Sequence, residues 1–238
     1  MENPVEDSNS SVDIYKDGTY LERNKTWHVQ DSPWKAQQIT SILSANKLEP
    51  RTVVEVGCGA GEILRQLSLT TPAVQFSGYE LSPQAFELCK QRQSERVQYH
   101  CRDLLQEQAH FDLLLCMDVF EHVPDYMGFL EGLRSKATYK IFHIPLDLSV
   151  LSLMRGSLMA ARRDIGHLHY FTRETALATL QDCGYKIVDG RYTQSYADLP
   201  SGSLIGKCAK PFYRMAHAVA PHLTVRLVGL ASYLVLAK

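Results

Sequence analysis

The residues best suited to chemistry follow three short apolar runs in the first half of the chain. The first run, Val53–Val56, leads directly into Gly57, Gly59 and Gly61. Glycines at such a turn let the backbone bend tightly, approach a ligand closely and present amide groups near the positive end of the next helix. Nicotinamide-binding turns usually have their third glycine one position later, where this chain has Glu62. The turn therefore suits a ligand that contains a nucleoside, although its glycine spacing is not that of a nicotinamide-binding turn.

Two carboxylates follow the second and third apolar runs. Glu80 ends the second run, 19 residues beyond Gly61, where an acid can accept hydrogen bonds from both hydroxyls of a ribose. Asp103 ends the third run, at a position suited to accept a hydrogen bond from an adenine amino group. The carboxyl ends of parallel strands form the ligand-binding edge of an open α/β sheet. The turn and the two acids therefore predict one site for an adenosine-containing ligand.

Four ordered motifs give the sequence a specific resemblance. They are VVEVGCGAG at 53–61, GYELSP at 78–83, CRDLL at 101–105 and FDLLLCMDVFEHVPD at 111–125. In this order and spacing they resemble the class I S-adenosylmethionine-dependent methyltransferases, particularly the small-molecule group related to the ubiquinone-biosynthesis enzymes. The resemblance covers roughly residues 51–188 and implies an enzyme that transfers a methyl group from S-adenosylmethionine.

The resemblance also implies which residues bind this cofactor. They are Glu55, Gly57, Gly59, Glu80, Leu81, Asp103, Leu104 and Met117. Gly57 and Gly59 would line the methionine moiety, Glu80 would bind the ribose hydroxyls, and Asp103 with the Leu104 backbone would contact the adenine. A plain turn or a solvated strand end explains any one of these residues alone, but not four motifs in order.

Methyl transfer from a sulfonium is an in-line displacement, so the protein must hold the acceptor behind the methyl carbon and exclude water. A hydroxyl acceptor is helped by a nearby base, and histidine is the commonest base near neutral pH. His122, after the fourth apolar run, is the first candidate for this base, and His143, in the fifth run, is the second. A hydrogen bond from His122 to its own loop is the structural alternative. The predicted acceptor is a small molecule methylated on oxygen or nitrogen, or on carbon.

A divalent cation is an alternative means of activating the acceptor. Asp118, Glu121 and His122, with His143 or His167, could together bind Mg²⁺ or Mn²⁺. Some relatives carry an ExxEH pattern at this place and use a metal, whereas this chain begins the pattern with the shorter Asp118. Because EHV also occurs without a metal, a metal-free site is the favoured interpretation and Mg²⁺ is the alternative.

The walls of the acceptor site are expected to come from segments outside the four motifs. His167 and Tyr170 lie in GHLHYFT, a segment that borders the acceptor pocket in many relatives. Phe171 either adds to this wall or packs on the helix that follows. From the N-terminal arm, we expect His28 in the same pocket and Trp27 in a lid over the cofactor.

The elements that must position these residues alternate between β-branched runs and helical stretches, which is the pattern of βαβ units. Strands are predicted at 52–56, 74–79, 97–101, 111–116, 139–144, 186–188 and 232–237, with helices between most of them. The expected fold is a Rossmann-like α/β fold. It has a mostly parallel seven-stranded sheet, helices on both faces and an antiparallel last strand.

The chain is expected to form one methyltransferase domain, 51–238, preceded by a flexible tail, 1–13, and an N-terminal helical arm or lid, 14–50. Two segments, 147–169 and 198–228, interrupt the alternation. We expect these insertions to shape the acceptor site, because loops grafted on one fold change its substrate freely.

Composition limits the partners of this protein. Lys and Arg number 25 against 26 Asp and Glu, so the net charge of -1 provides no general attraction to nucleic acid, and no nucleic-acid partner is expected. The six cysteines form no CxxC pair, and the polar, acidic N-terminus is unlike a signal peptide. A cytoplasmic location is therefore predicted, while the oligomeric state is not.

The last forty residues are basic and apolar, because no Asp or Glu follows Asp198. Packing against the sheet is the favoured interpretation of this stretch, and contact with an anionic membrane surface is the alternative. Two alternative functions stay open. One is a non-catalytic module that binds S-adenosylmethionine, and the other is methylation of a protein or of a lipid-like substrate.

Overall fold

A computed structural model describes residues 24, 26–27, 29–200 and 204–238 of the 238-residue chain. The predicted tail at 1–13, most of the arm up to residue 28, and His28 itself lie outside the described residues.

Seven strands form a single sheet. They are β1 (Thr52–Val56), β2 (Gln75–Tyr79), β3 (Val97–His100), β4 (Phe111–Met117), β5 (Ala137–Pro145), β6 (Ile187–Thr193) and β7 (Ser232–Ala237). Their order across the sheet is β3-β2-β1-β4-β5-β7-β6. Strand β7 runs antiparallel to both of its neighbours, and the pairs among β1 to β5 are parallel. The predicted fold class is confirmed.

Ten α-helices accompany the sheet in the described residues. They are α1 (Ser32–Ala45), α2 (Glu62–Thr70), α3 (Pro83–Lys90), α4 (Tyr126–Leu133), α5 (Val150–Arg155), α6 (Ser157–Asp164), α7 (Arg173–Asp182), α8 (Ser195–Asp198), α9 (Leu204–Val219) and α10 (Pro221–Val228). Several begin at a residue whose side chain caps the helix. The side chains of Ser82 and Asp125, for example, each accept a hydrogen bond from a first-turn amide of the helix that follows.

Helices cover both faces of the sheet, so the central strands are apolar on both sides. On one face, Leu114 of β4 and Phe142 of β5 belong to a buried cluster with side chains of α4 and α7. On the other face, Leu113 and Leu115 of β4 pack in a second cluster with side chains of α1, α2 and α3. Burial on both faces holds the strand ends, and the polar residues that follow them, in fixed positions.

The two predicted insertions are helical and lie side by side. Helices α5 and α6 follow β5, and α9 and α10 precede β7. Because Pro145 pairs with Ser232 and the Leu146 amide donates to the Ala231 carbonyl at 3.1 Å, both segments leave the sheet at the same place. That place is the edge at which the carboxyl ends of the parallel strands lie.

Candidate functional site

The glycine-rich turn joins β1 to α2 in a conformation that requires glycine. Gly57 and Gly59 have φ values of 63° and 55°, in the left-handed region that other residues rarely adopt. A Cβ on Gly57 would lie 2.9 Å from the Val119 side chain, and one on Gly59 would lie 2.7 Å from the Trp27 ring. The turn therefore has no room for a side chain at either glycine, and the Trp27 ring lies against Gly59.

Glu80 connects the end of β2 to this turn. One carboxylate oxygen accepts a hydrogen bond from the Gly59 amide at 2.9 Å, and the other accepts from the Ser82 amide at 2.8 Å. Burial raises the pKa of Glu80, although these backbone hydrogen bonds act to lower it. Since each carboxylate oxygen can accept more than one hydrogen bond, Glu80 retains acceptor capacity for a ligand.

Asp103 lies after β3, where its side chain accepts a hydrogen bond from the Leu105 amide at 2.9 Å and so caps a short 3-10 turn. Asp103, Leu104, Glu80 and the exposed Leu81 all line a cavity of about 610 Å³. The structure thus brings the predicted ribose and adenine contacts into one space, called here the larger cavity.

A second cavity, of about 270 Å³, also borders the glycine-rich turn. This smaller cavity shares lining residues with the larger one, namely Trp27, Gly57, Asp118 and His122. Its other lining residues include the predicted site residues Glu55, Gly59, Met117, His143 and His167. The two cavities together extend along the carboxyl ends of β1 and β4, as a ligand with a nucleoside and an amino-acid part would require.

Glu55 is a buried acid in the smaller cavity. Its carboxyl group is 1% exposed, and its Oε2 atom has no hydrogen-bond partner in the described structure. Burial raises the pKa of Glu55 well above its usual range, an effect that Lys35 partly opposes. A buried carboxyl without a partner at a cavity wall is costly, and a cationic or hydrogen-bond-donating ligand would relieve that cost.

Asp118, which follows β4, is held by two partners. Lys35 of α1 lies 2.6 Å from one carboxylate oxygen, and His143 Nδ1 lies 2.5 Å from the other. His143 Nε2 in turn lies 2.8 Å from the Thr193 hydroxyl. Burial alone would raise the pKa of Asp118, but His143 and Lys35 hold it well below its usual range. Both ring nitrogens of His143 are thus engaged, which suits a positioning role.

Glu121, His122 and His167 form a second polar cluster beside the smaller cavity. Their ligand atoms all lie within 4.8 Å of one another. Glu121 is 1% exposed, and neither of its carboxylate oxygens has a hydrogen-bond partner among the described residues. Burial raises the pKa of Glu121 well above its usual range, with Asp118 adding to the shift. A cation or a hydrogen-bond donor bound at this place would therefore stabilise the buried Glu121 carboxyl group.

The two histidines of this cluster are oriented by acceptors behind them. His122 Nδ1 lies 3.0 Å from the Gly166 carbonyl, and His167 Nδ1 lies 2.5 Å from the Asp147 carboxylate. Because these acceptors cannot donate, each Nδ1 carries the proton and each Nε2 presents a lone pair when the ring is neutral. Burial, together with the neighbouring His167, lowers the pKa of His122 to about 4.

The GHLHYFT segment divides between the site and the core. His167 lines the smaller cavity. The Tyr170 hydroxyl instead donates to the Leu158 carbonyl of α6 at 2.8 Å, and Tyr170 lines neither of the two cavities described above. Phe171 is buried against the rings of Phe120 and Tyr126 and so belongs to the core.

Sequence reasoning did not identify Lys35, Asp147 or Thr193 as part of the site. Lys35 lies on α1 and Thr193 at the end of β6, far along the chain from the motifs. No local pattern marks either residue, because their partners are reached only when the helix and strands pack. Asp147 follows the HIPL stretch after β5, and its place beyond the end of a parallel strand was the one signal available.

The strand order, the antiparallel β7 and a site at the carboxyl ends of β1, β2 and β4 define the class I methyltransferase fold. Solved structures share it. The plantazolicin methyltransferase BpumL, solved with a monoazolic desmethylPZN analog and SAH, has a TM-score of 0.63 at 17% identity over 96% of this chain and 93% of that chain. Magnesium protoporphyrin IX methyltransferase from Synechocystis PCC 6803, with bound SAH, has a TM-score of 0.63 at 16% identity, over 96% and 99%.

Sequence comparison gives the family. A methyltransferase domain family matches residues 27–189, more than half of the chain. The protein therefore belongs to the methyltransferase domain family, as its motifs predicted. Ubiquinone biosynthesis O-methyltransferase of Coxiella burnetii is 32% identical over 95 residues, and this match covers 37% of each chain. The enzyme of the same description from Xanthomonas axonopodis pv. citri is 29% identical over 161 residues, 60% of this chain and 66% of that one.

Proposed function

We propose that this protein transfers a methyl group from S-adenosylmethionine to a small-molecule acceptor. The observation that carries the proposal is the arrangement of Glu80 and Asp103 in the larger cavity, joined through the glycine-rich turn to Glu55 in the smaller one. In this arrangement Glu80 binds the ribose, Asp103 and the Leu104 backbone bind the adenine, and the methionine moiety extends along the turn.

The charges around the smaller cavity support a cationic cofactor. Glu55 and Glu121 are buried acids of this region, Asp118 is a partly buried one, and Lys35 pairs with Asp118. S-adenosylmethionine carries a sulfonium and an ammonium group, both positive. A site with an excess of buried acid stabilises such a ligand more than it stabilises a neutral one. Glu55, whose Oε2 has no hydrogen-bond partner among the described residues, is the residue placed to accept from the ammonium.

The acceptor binds in the smaller cavity, where it meets His122 and His167. Their Nε2 lone pairs are the acceptors for an acidic proton on the substrate, while His143 is held between Asp118 and Thr193 and orients the Asp118 side chain. Trp27 and α1 cover the turn and help to exclude water, which an in-line transfer requires. The geometry supports an oxygen or nitrogen acceptor, with methylation of carbon, of a protein or of a lipid-like molecule as alternatives.

Calorimetric titration with S-adenosylmethionine, S-adenosylhomocysteine and NADH tests the cofactor. We expect saturable binding of both sulfur nucleotides at one site per chain and none of NADH, because the turn lacks the nicotinamide glycine spacing. Protein that is folded by circular dichroism but binds neither sulfur nucleotide would overturn the proposed function. Binding without turnover across hydroxyl, amine and thiol acceptors would favour the non-catalytic module.

Replacing Asp103 with alanine is expected to weaken S-adenosylhomocysteine binding about tenfold, since one hydrogen bond to a charged group contributes about 1.5 kcal/mol. Asp103→Asn is the matched control, because asparagine can still cap the 3-10 turn and accept from the adenine amino group. It should bind within about threefold of the wild type. Wild-type affinity in folded Asp103→Ala protein would refute the adenine assignment.

A metal ion is a second means of activating the acceptor, and the Glu121, His122 and His167 cluster favours it. Two imidazoles with hydrogen-bonded Nδ1 atoms and one buried carboxylate are a donor set that suits Zn²⁺ or Mn²⁺ better than Mg²⁺, which prefers oxygen ligands. Asp118 is outside this set, because Lys35 and His143 already hold its carboxylate. Such an ion, when bound, would polarise an acceptor hydroxyl.

Metal titration of chelator-treated protein tests this donor set. We expect one Zn²⁺ or Mn²⁺ to bind per chain, more tightly than Mg²⁺, and Glu121→Gln to weaken that binding at least about tenfold. His110→Gln, which changes an exposed histidine bonded to Ser135 and Thr138, is the control. Absence of stoichiometric binding of any of the three ions would contradict the metal proposal and leave the two histidines to act without one.

A further inference from the structure

Exposed apolar side chains are concentrated in the two helical insertions. Of the thirteen large apolar residues that are exposed in the described structure, ten lie within 150–159 or 212–230. They are Val150, Leu153, Met154, Met159, Phe212, Met215, Val219, Leu223, Leu227 and Leu230. We call α5, α6, α9 and α10 with these side chains the helical surface. Concentration of this kind marks an interaction site rather than chance exposure.

The helical surface is continuous. Helix α5 packs against α6 and α10, and α9 packs against α10. The Tyr213 hydroxyl of α9 donates to the Gly229 carbonyl at the end of α10 at 2.9 Å, which ties the two helices together. Because both insertions leave the sheet beside the Pro145 and Ser232 pair, the four helices form one layer at a single edge of the molecule.

Packing against the sheet explains only the inner side of these helices. Tyr213 of α9 and Val225 of α10 are buried, as packing predicts. The solvent side, however, is also apolar, since Phe212 is 70% exposed and Val219 is 81% exposed. A surface helix of a globular protein normally has polar residues on that side. The outer side is therefore apolar, although these side chains do not contribute to packing of the core.

The charges of the helical surface are predominantly basic. No acid follows Asp198 in the chain. Exposed basic residues of the four helices are Arg155, Arg162, Arg163, Lys207, Arg214 and Arg226. In the 147–169 insertion the acids are Asp147, which is bonded to His167, and Asp164. Because the whole chain has a net charge of -1, this basic character is local and would orient the protein toward an anionic partner.

We propose that the helical surface docks this protein on the headgroup layer of an anionic lipid bilayer. Helices that combine exposed Leu, Met, Phe and Val with flanking Arg and Lys lie in the interface of such a bilayer, where both groups are satisfied. The apolar side chains are spread over a layer of four helices, and a lipid surface can accommodate an apolar area of this breadth. Among the described helices, none has both the length and the apolar character needed to cross a membrane.

Vesicle flotation with the full chain tests the docking surface. We expect the protein to float with vesicles of three parts phosphatidylcholine to one part phosphatidylglycerol, less at high salt, and little with phosphatidylcholine alone. Met154→Asp and Val219→Asp, which change residues 81% exposed and outside both cavities, should each weaken this binding about tenfold. Leu69→Asp is the matched control, because Leu69 is 66% exposed on α2, outside the helical surface.

Three outcomes would overturn the proposal. The first is no flotation with anionic vesicles by protein that still binds S-adenosylhomocysteine, which would leave the proposed function intact. The second is flotation that Leu69→Asp reduces as much as Met154→Asp and Val219→Asp do. The third is a concentration-dependent dimer in vesicle-free buffer that Val219→Asp abolishes, which would make the helical surface an interface between two copies of the chain.

Discussion

Replacing Glu80 with alanine is expected to weaken S-adenosylhomocysteine binding at least about 100-fold. Each Glu80 oxygen holds one backbone amide and can accept a second hydrogen bond from a ribose hydroxyl. Hydrogen bonds to a charged group contribute about 1.5 kcal/mol or more each, so the loss of two corresponds to at least two decades of affinity. The variant also leaves the Gly59 amide without its acceptor, which loosens the turn that lines the methionine moiety.

Isothermal calorimetry with S-adenosylhomocysteine measures this effect. Two further variants serve as comparisons. Glu80→Gln retains one acceptor oxygen but presents an NH₂ group to one of the two amides, so we expect a loss of about tenfold. Glu87→Ala removes an exposed acid of α3 that pairs with Lys90, and it should change nothing. If folded Glu80→Ala protein bound the ligand as tightly as the wild type does, the ribose assignment would be wrong.

Replacing Lys35 with methionine is expected to reduce the free energy of unfolding by about 1.5–3 kcal/mol, because it leaves the partly buried Asp118 carboxylate with His143 as its remaining partner in the described structure. Methionine keeps the apolar stem of the lysine, so that packing of α1 changes little. Urea unfolding followed by circular dichroism measures the loss. The same variant should also reduce the rate of methyl transfer, since Asp118 and Lys35 both line the smaller cavity.

The double variant Lys35→Met with Asp118→Asn separates the ion pair from packing. Asparagine adopts the positive φ of 56° at this position more readily than most residues do. Removing both charges should restore a large part of the stability that Lys35→Met alone removes. Additive losses in the two single variants and the double variant would show that Lys35 and Asp118 do not interact as the structure places them.

The interaction of Lys35 with Asp118 also predicts that the protein loses stability at acid pH. Aspartate carboxyls in unfolded chains titrate near about 3.9, and His143 and Lys35, against the opposing effect of burial, lower the pKa of Asp118 in the fold. Its contribution to stability is therefore present above about pH 4 and is lost as the pH falls further, toward the folded pKa. Asp118→Asn should flatten this part of the stability profile relative to the wild type.

Local patterns predicted most of the fold. The alternation of β-branched runs with helical stretches located all seven strands, although β6 continues to Thr193, well beyond its predicted end at residue 188. The glycine-rich turn and the acids Glu80 and Asp103 could be placed together in advance. Parallel strands end at one edge of the sheet, so residues just beyond those ends must converge whatever the details of packing.

Only the tertiary structure decided how the polar residues of the site are paired. Asp118 belonged, by sequence, to a hypothetical metal site, yet packing of α1 places Lys35 beside it and β6 brings Thr193 to His143. His167 joins Glu121 and His122 through the insertion after β5. These partners are distant in the chain, and the periodicity of the sequence does not indicate which charged residues will form pairs.

The C-terminal segment shows the same division. Its basic and apolar composition was evident from the sequence, but composition does not say which side of a helix meets the core. In the structure Tyr213 and Val225 face inward, and Phe212 and Val219 remain exposed. Sequence thus determined the order of the elements and the cofactor motifs, because both depend on short-range chemistry. Tertiary packing determined the charge partners and the outer surface, because both depend on contacts between segments far apart in the chain.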